Sequence, residues 1–343
     1  MIRRLMLCAA LTASAAFPLC AQQVNITGAG STFAAPLYNA WANEYAKLHP
    51  GTQINYQSIG SGGGIRQISS GTVDFGGTDS PMNDKLLAEA KQKLGTDILH
   101  FPVALGGVVP IHNIPGVSKD LNFTGAALAG IYLGKITKWN DPEIAKANPG
   151  VNLPGNNIVV CHRSDSSGTT FIWADFLSKA SADWKNKVGA APSLNWPVGI
   201  GGKGNEGVAG FVRQTPNSIG YVELIYAVQN KMTYGQVQNS AGKFIKADLN
   251  SVTAAAAGAV KAMPADFRVS ITGAPGATAY PVSSFTWMLV PRDMKDKTKG
   301  ATLKAFLIWG MTEGQKFAQP LSYAPLPRPV VEKELAAIKT LHY

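Results

Sequence analysis

One stretch, Val159-Val160-Cys161-His162-Arg163-Ser164-Asp165-Ser166-Ser167-Gly168-Thr169-Thr170-Phe171, constrains what this chain can become more than any other. Val159 and Val160 read as the end of a buried strand. A polar turn runs from Arg163 to Thr169, and apolar positions resume at Phe171, Ile172, Phe176 and Leu177 as a helix. A strand, a hydroxyl-and-glycine turn and then a helix aim free backbone N–H groups at an anion. Ser167 and Thr169 add hydroxyl donors, Gly168 lets the backbone come close, and Arg163 brings a planar fork of N–H groups. Two further stretches repeat the layout: Gly28-Ala29-Gly30-Ser31-Thr32-Phe33 and Gly60-Ser61-Gly62-Gly63-Gly64. Three such turns in one chain imply a single oxyanion gripped from several sides.

The N-terminus reads as an export leader over residues 1–21. Arg3 and Arg4 form a basic start, Leu5 to Phe17 carry no charge, and a cut is expected after Ala21. The apolar run is shorter than the roughly 20 residues of a spanning helix. Lipid attachment at Cys20 is the competing reading, but Phe17-Pro18-Leu19 before it lacks the small residue such a site uses. Cys8 and Cys20 leave with the leader, so Cys161 alone remains and no internal disulfide or thiolate metal cluster is expected; a buried strand end suits it as a small core residue. The net charge is +10, with Arg3 and Arg4 in the leader, and the remaining Lys and Arg are scattered. No basic block interleaved with aromatics appears, which argues against nucleic acid.

Roughly 320 mature residues exceed one ordinary core, so two domains are expected. Val24–Thr27, Gln53–Tyr56 and Val73–Phe75 read as strands. Between the first two lies a helix with Leu37, Tyr38, Trp41 and Tyr45 on its core face and Pro36 in its first turn. Ile65 and Ile68 mark a brief helix after a glycine turn at 60–64, and Gly76-Gly77-Thr78-Asp79 reads as a loop. This β-α-β-α-β rhythm brings three polar strand exits to one edge of an open α/β sheet. Further strands are expected at 101–111, 158–161, 219–222 and 281–290, and helices near Ile131-Tyr132, over Thr253–Ala262 and around Leu303, Phe306, Leu307 and Met311. Residues 195–207 read as a glycine-rich loop whose Gly202-Lys203 fails as a P-loop, because Gly204 stands where Ser or Thr is needed. The segment 319–329 reads as a Pro-rich tail. The architecture expected is α/β and two-lobed, a first domain interrupted by a second, with hinge strands near Val103-Ala104 and residue 283.

With these residues in view, the chain resembles the periplasmic phosphate-binding proteins of phosphate ABC importers, the PstS family. The likeness rests on GAGSTF (28–33), IGSGGG (59–64), VDFGGTDSP (73–81), IYLGKITKWND (131–141), RSDSSGTTF (163–171), WPVGIGGKGNEG (196–207) and IGYVE (219–223). It implies the two-lobed type II periplasmic-binding-protein fold, each lobe an open mixed sheet flanked by helices. Lobe I would take residues 22–103 and 283–343, and lobe II residues 104–282. The resemblance also places phosphate contacts on Ser31, Thr32, Phe33, Ser61, Asp79, Arg163, Ser167, Gly168 and Thr169, with Asp165 supporting the arginine. It implies no cofactor or metal, a monomer in the periplasm, and permease and ATPase subunits of an importer as partners.

Each assignment has a plainer alternative. Asp79 could cap a helix at Ser80-Pro81-Met82, Arg163 could be an ordinary ion pair, and the Ser and Thr turns could be N-caps only. If Asp79 faces the ligand, it accepts the proton that phosphate keeps at neutral pH and sulfate lacks, and so sets specificity. A hydrolase using Ser167 is disfavoured by the scarcity of histidines and by the lack of a G-x-S-x-G elbow. Other oxyanions as ligand, or a sensor or adhesion role, stay open. His49, His100, His112 and His342 are expected at the surface; His162 borders the turn.

Overall fold

The structure is a computed structural model and describes residues 23–343. The expected leader, with Cys8 and Cys20, lies outside these residues. The chain opens β1 (Val24–Gly30), α1 (Ala35–Leu48), β2 (Thr52–Ser58), α2 (Ser61–Ser69), β3 (Phe75–Thr78), α3 (Asp84–Leu94) and β4 (Ile98–Asn113). Next come β5 (Asn122–Phe123), α4 (Gly125–Tyr132), α5 (Pro142–Ala145), β6 (Val159–Arg163), α6 (Gly168–Ala180) and α7 (Ala182–Lys187). These are followed by β7 (Ile200–Gly202), α8 (Gly204–Gln214), β8 (Ser218–Glu223), α9 (Leu224–Gln229), β9 (Gln236–Gln238), β10 (Phe244–Ile245) and α10 (Leu249–Lys261). The chain finishes with β11 (Ser283–Pro291), α11 (Lys297–Met311), two short 3-10 turns and α12 (Arg328–Ile338).

Several boundaries differ from the sequence reading, each for a local reason. Gly76, Gly77 and Thr78, expected in a loop, are strand residues of β3, because backbone pairing with β1 and β11 needs no side chain there. The glycine turn at 60–64 is shorter than expected: α2 starts at Ser61, and the three glycines form its first turn. They are small because Gly64 packs on backbone, where a Cβ would come within 2.5 Å of Ala29 O. Within 195–207, a short edge strand β7 pairs with β6, and α8 begins at Gly204. Helices α3 and α12 escaped the reading; α3 is mostly exposed, with Ala90 its one fully buried residue, and its stripe of Leu86, Leu87, Ala90 and Leu94 is only partly buried against the core. His100 and His112 are buried, correcting their surface assignment. His100 Nε2 accepts from Met82 N at 3.0 Å, and His112 sits between Phe123 and Trp139. Burial pushes their imidazoles down to about 3 and about 4 respectively, so both are neutral. His342 is exposed and pairs with Asp293 at 2.8 Å. Cys161 is a buried free thiol, and burial pushes it up to about 12.

Among the described residues the strands form an eight-stranded sheet, β2-β1-β3-β11-β4-β8-β6-β7, and a small one, β10-β9-β5. β1 runs parallel to both β2 and β3, so all three deliver their C-terminal ends to one edge. β6 runs parallel to β8 and β7 in the other half. The long strand β4 joins the halves. Its residues Ile98–Gly107 pair with β11, and Val108–Asn113 pair with β8. The partner switch therefore falls just beyond Val103 and Ala104, where Val108 N also meets Val282 O at 2.9 Å. The result is one curled mixed sheet bearing two lobes, the type II periplasmic-binding-protein fold.

The first half is locked by aromatics that the α1 stripe supplies. Leu37, Tyr38, Trp41 and Tyr45 are all buried, and Trp41 stands edge-on to Tyr38, Phe306 and Trp309. Its indole N–H donates to Gly314 O at 2.8 Å. Gly310 packs so closely that a Cβ there would lie 2.6 Å from the indole ring. Trp41→Ala should therefore cost about 3–5 kcal/mol of stability in urea unfolding. A loss below about 1 kcal/mol would mean that this cluster does not hold α1 to α11.

Candidate anion site between the lobes

The strand exits meet where the two halves of the sheet face each other. Gly62 N donates to Ser166 O at 3.0 Å, which ties α2 to the turn before α6. Tyr226 Oη donates to Thr32 O at 2.6 Å, joining α9 to the loop after β1. Ser31, Thr32, Phe33, Ser61, Asp79, Arg163, Ser167 and Thr169 are all buried, none more than 3 % exposed. Gly168 is the close-approach residue. A Cβ on it would stand 2.5 Å from both Asp79 Oδ2 and Ser61 Oγ. Gly60, the N-cap of α2, has φ 84°, a left-handed conformation that favours glycine, and it faces Asp165 and Ser166. The structure thus brings all nine site residues expected from sequence, with Asp165, into one place.

The backbone supplies donors. Among the described residues the N–H groups of Thr32, Phe33, Ser61, Gly168 and Thr169 make no hydrogen bond to protein. Three of them are the first amides of helices: Ser61 of α2, and Gly168 and Thr169 of α6. Those amides have no intrahelical partner by construction, and the helix dipole adds positive potential. Three hydroxyls behave similarly. Ser167 Oγ accepts from Thr170 N at 3.1 Å as the N-cap of α6. Thr169 Oγ1 accepts from Arg163 Nη1 at 3.2 Å, and Thr32 Oγ1 from Asn205 Nδ2 at 2.7 Å. Each of these oxygens is used as an acceptor, which leaves its own proton to be donated. The N-cap alternative for Ser167 therefore holds, and it is compatible with donation from the same hydroxyl. Ser31 behaves differently. Its N–H goes to Gly77 O at 2.9 Å and its hydroxyl to Asp79 Oδ1 at 2.6 Å, so both of its donors are engaged inside the protein.

Asp79 is the acceptor in this ring of donors. It caps no helix, since α3 is capped by Asn83. Oδ1 accepts from Ser31 Oγ and from Thr286 Oγ1 at 2.7 Å, and Oδ2 accepts from Ser61 Oγ at 3.2 Å. Burial pushes its carboxyl up to about 6, against the hydrogen bonds from Ser31 and Thr286, the charge of Arg163 and the Ser61 hydroxyl. Arg163 ends β6 with its side chain almost fully buried. Its Nε and Nη2 donate to Asp165 Oδ1 and Oδ2 at 2.8 and 2.5 Å, a two-pronged pair. Gly204 N, at the start of α8, donates to Asp165 Oδ1 at 3.0 Å. Burial alone would raise Asp165, but the Arg163 hydrogen bonds and charge, with the Gly204 amide, hold it below the usual carboxylate range. Two of the guanidinium's N–H groups have no partner in the pair with Asp165 or in the bond to Thr169.

Sequence reasoning missed the outer layer. Thr286 lies inside the apolar strand β11 and points a hydroxyl at Asp79, which alternation along the strand gives no way to read. Asn205 sat in the segment dismissed as a failed P-loop. Glu223 is buried, caps α9 through Ile225 N at 2.7 Å and leaves Oε1 without a partner. Burial raises its carboxyl well above the usual range, opposed by the α9 amides and reinforced by the nearby Asp79 charge. Tyr56 and Tyr323 hydroxyls hold Ser31 O at 3.0 Å and Phe33 O at 2.5 Å, fixing the loop whose amides face the site. His162 lies beside the site stacked on Trp196, with ring centroids 4.7 Å apart, which occupies one ring face.

A cleft between two lobes, lined by buried donors at helix starts, defines a solute-binding protein of the periplasmic class. Residues 19–313 match the family model for the PBP superfamily domain. The chain is 47% identical over 313 residues to the phosphate-binding protein PstS of Xylella fastidiosa strain Temecula1, spanning 91% of this chain and 84% of that one. It is 44% identical over 341 residues to the phosphate-binding protein PstS of Pasteurella multocida, spanning 99% and 96%. Solved structures of similar fold include a phosphate-binding protein from Stenotrophomonas maltophilia, with TM-score 0.70, 20% identity and coverage of 91% of this chain and 93% of that one. Another is a putative phosphate ABC transporter substrate-binding protein from Clostridium perfringens with bound phosphate, with TM-score 0.64, 19% identity and coverage of 88% and 100%. The chain belongs to the PstS family of phosphate-binding proteins. These relatives are binding proteins rather than enzymes.

The raised carboxyl of Asp79 has a consequence for stability. Between its ordinary value of 3.8 and about 6, the folded protein holds a proton that the unfolded chain has released. Stability therefore falls as pH rises through that window, and the full cost is present above it. In Asp79→Asn, the amide oxygen can still accept from Ser31 and Thr286, and its nitrogen can donate to Ser61 Oγ. In phosphate-free buffer at pH 8 this variant should gain about 1–3 kcal/mol over the parent. The gap should close by pH 4 in urea melts. A variant less stable than the parent at pH 8 would contradict the cost assigned to this charge.

Proposed function

We propose that this chain binds inorganic phosphate with high affinity in the inter-lobe cleft and delivers it from the periplasm to an ABC import permease and its ATPase subunits. Lobe I comprises residues 22–103 and 283–343, and lobe II residues 104–282. The protein acts as a monomer exported by a cleaved leader, without metal or cofactor. No helix among the described residues is long and apolar enough to cross a membrane. The observation that carries the reading is one carboxylate acceptor, Asp79, set within buried donors that have no protein acceptor. Thr32, Phe33, Ser61, Gly168 and Thr169 offer backbone N–H groups. Ser167, Thr169 and Thr32 offer hydroxyls, Arg163 offers its free guanidinium edge, and Ser31 holds Asp79.

Such a set fits a tetrahedral oxyanion that keeps one proton. Phosphate at neutral pH retains a proton for Asp79 to accept. Sulfate retains none, and it would face the carboxylate lone pair to lone pair. A buried polar group left unpaired costs about 1–3 kcal/mol, more when charged. A site built on one donor–acceptor pattern can discriminate by about 10⁴–10⁵. Calorimetric titration at pH 8 should give one phosphate per chain with sulfate silent. Equal binding of both anions would leave a general oxyanion receptor, and binding of neither would leave only the fold.

Acidification tests the role of Asp79 separately. As pH falls through about 6, Asp79 gains a proton that it can donate. Sulfate binding should appear at pH 5 and be present at every pH in Asp79→Asn. Sulfate silent under both conditions would remove Asp79 as the filter. Gly168→Ala puts a methyl against Asp79 and Ser61 and should reduce phosphate affinity at least about 100-fold, a large share of the two charge-assisted hydrogen bonds it would disturb. Unchanged affinity would show that the anion does not sit at the α6 start.

A further inference from the structure

Asn205 is the second residue of α8, fully buried, and lies across the cleft from the loop that carries Thr32. Its Oδ1 accepts from the backbone N–H of Glu223 at 2.9 Å. That donor fixes the amide's orientation, since the reversed amide would set N–H against N–H. Nδ2 must then face the other way, where it donates to Thr32 Oγ1 at 2.7 Å and to Thr169 Oγ1 at 3.2 Å. The backbone N–H of Asn205 also reaches Thr32 Oγ1, at 3.3 Å. A hydroxyl has one proton and rotates to suit its neighbours. Two hydroxyls that must accept from Asn205 cannot also spend their protons on it.

From this geometry we propose that Asn205 is the positioning residue that sets the polarity of the site. A backbone amide orients the Asn205 side chain, and Asn205 in turn points the Thr32 and Thr169 protons into the cleft from opposite lobes. It touches no ligand in this scheme. The proposal rests on the phosphate reading above and assigns the reason why Asp79 is the site's lone acceptor: without Asn205 the two threonines could turn lone pairs toward the anion. The same side chain joins the lobes, so polarity is set only when they meet.

The test compares Asn205→Asp and Asn205→Ala with the parent protein by calorimetric phosphate titration at pH 8 and pH 5, with thermal melts to verify folding. At pH 8 the ionised carboxylate of the Asn205→Asp variant draws both hydroxyl protons to itself. Phosphate affinity should then fall about 100-fold or more, the worth of charge-assisted hydrogen bonds turned repulsive. At pH 5 a protonated acid again offers a donor, and the deficit of the Asn205→Asp variant relative to the parent should shrink about tenfold. Asn205→Ala, with no donor and no charge, should lose about tenfold at both pH values. Equal, pH-independent losses in the two variants, tracking their melting temperatures, would reduce Asn205 to a packing residue. Unchanged affinity in both would overturn the proposal outright. A parent that binds no phosphate would instead overturn the phosphate reading, and the Asn205 proposal with it.

Discussion

A buried N–H group without an acceptor is among the costlier things a protein can contain, and the site between the lobes gathers five of them. Leaving such a donor unpaired costs about 1–3 kcal/mol. Among the described residues the amides of Thr32, Phe33, Ser61, Gly168 and Thr169 have no acceptor. The fold nevertheless holds them in place: Tyr56 and Tyr323 grip the carbonyls of Ser31 and Phe33, and Gly62 is bonded to Ser166. The donors therefore cannot relax toward protein acceptors when the lobes meet. On the reading proposed above, an acceptor-rich ion would make the closed arrangement favourable and so couple closure to binding without any separate trigger.

The charges around these donors are graded. Asp165 is the strongest acid of the three, held ionised by Arg163 and by the start of α8. Asp79 titrates near 6 because burial outweighs its hydroxyl partners. Burial, and the nearby Asp79 charge, push Glu223 well above the usual carboxylate range. An ionised Glu223 would set a second negative charge close to Asp79, which its burial disfavours. It lies beside Gly106, and its Oε2 serves as a helix cap. Three carboxyls within one region thus take three roles, set by how much water each has lost and which donors replaced it.

Most of this was legible because it depends on local patterns. The 159–171 stretch announced a strand, a turn and a helix, and they stand as β6 and α6 with Ser167 at the cap. The stripe Leu37, Tyr38, Trp41 and Tyr45 announced the buried face of α1. What could not be read depends on distant pairing. Gly76 and Gly77 look like a loop until β1 and β11 flank them, and His100 looks exposed until Met82 N meets its ring. The supporting layer was invisible for the same reason. Thr286 and Asn205 come from β11 and α8, far from Asp79 and Thr32 in sequence, and neither stands in a spacing that marks it. The residues that would touch the ion sit at strand exits with recognisable turn chemistry, whereas those that orient them sit wherever the fold happens to pass.

The pairing of Arg163 with Asp165 bears on release as much as on capture. A bare guanidinium buried against a dianion would add a large attraction in a medium of low dielectric. Here two of its N–H groups are spent on Asp165, whose side chain is 15% exposed and so sits at the wetter end of the pair. The arginine thus arrives oriented, with its charge balanced before any ligand comes. On the proposed reading, recognition is left to many neutral dipoles, whose contributions would depend steeply on geometry and fade once the lobes part. An ion held by directional N–H and O–H groups from both halves loses part of its contacts when one half swings away. Opening the cleft would therefore weaken the grip at once, which is what a carrier that must hand over its cargo requires.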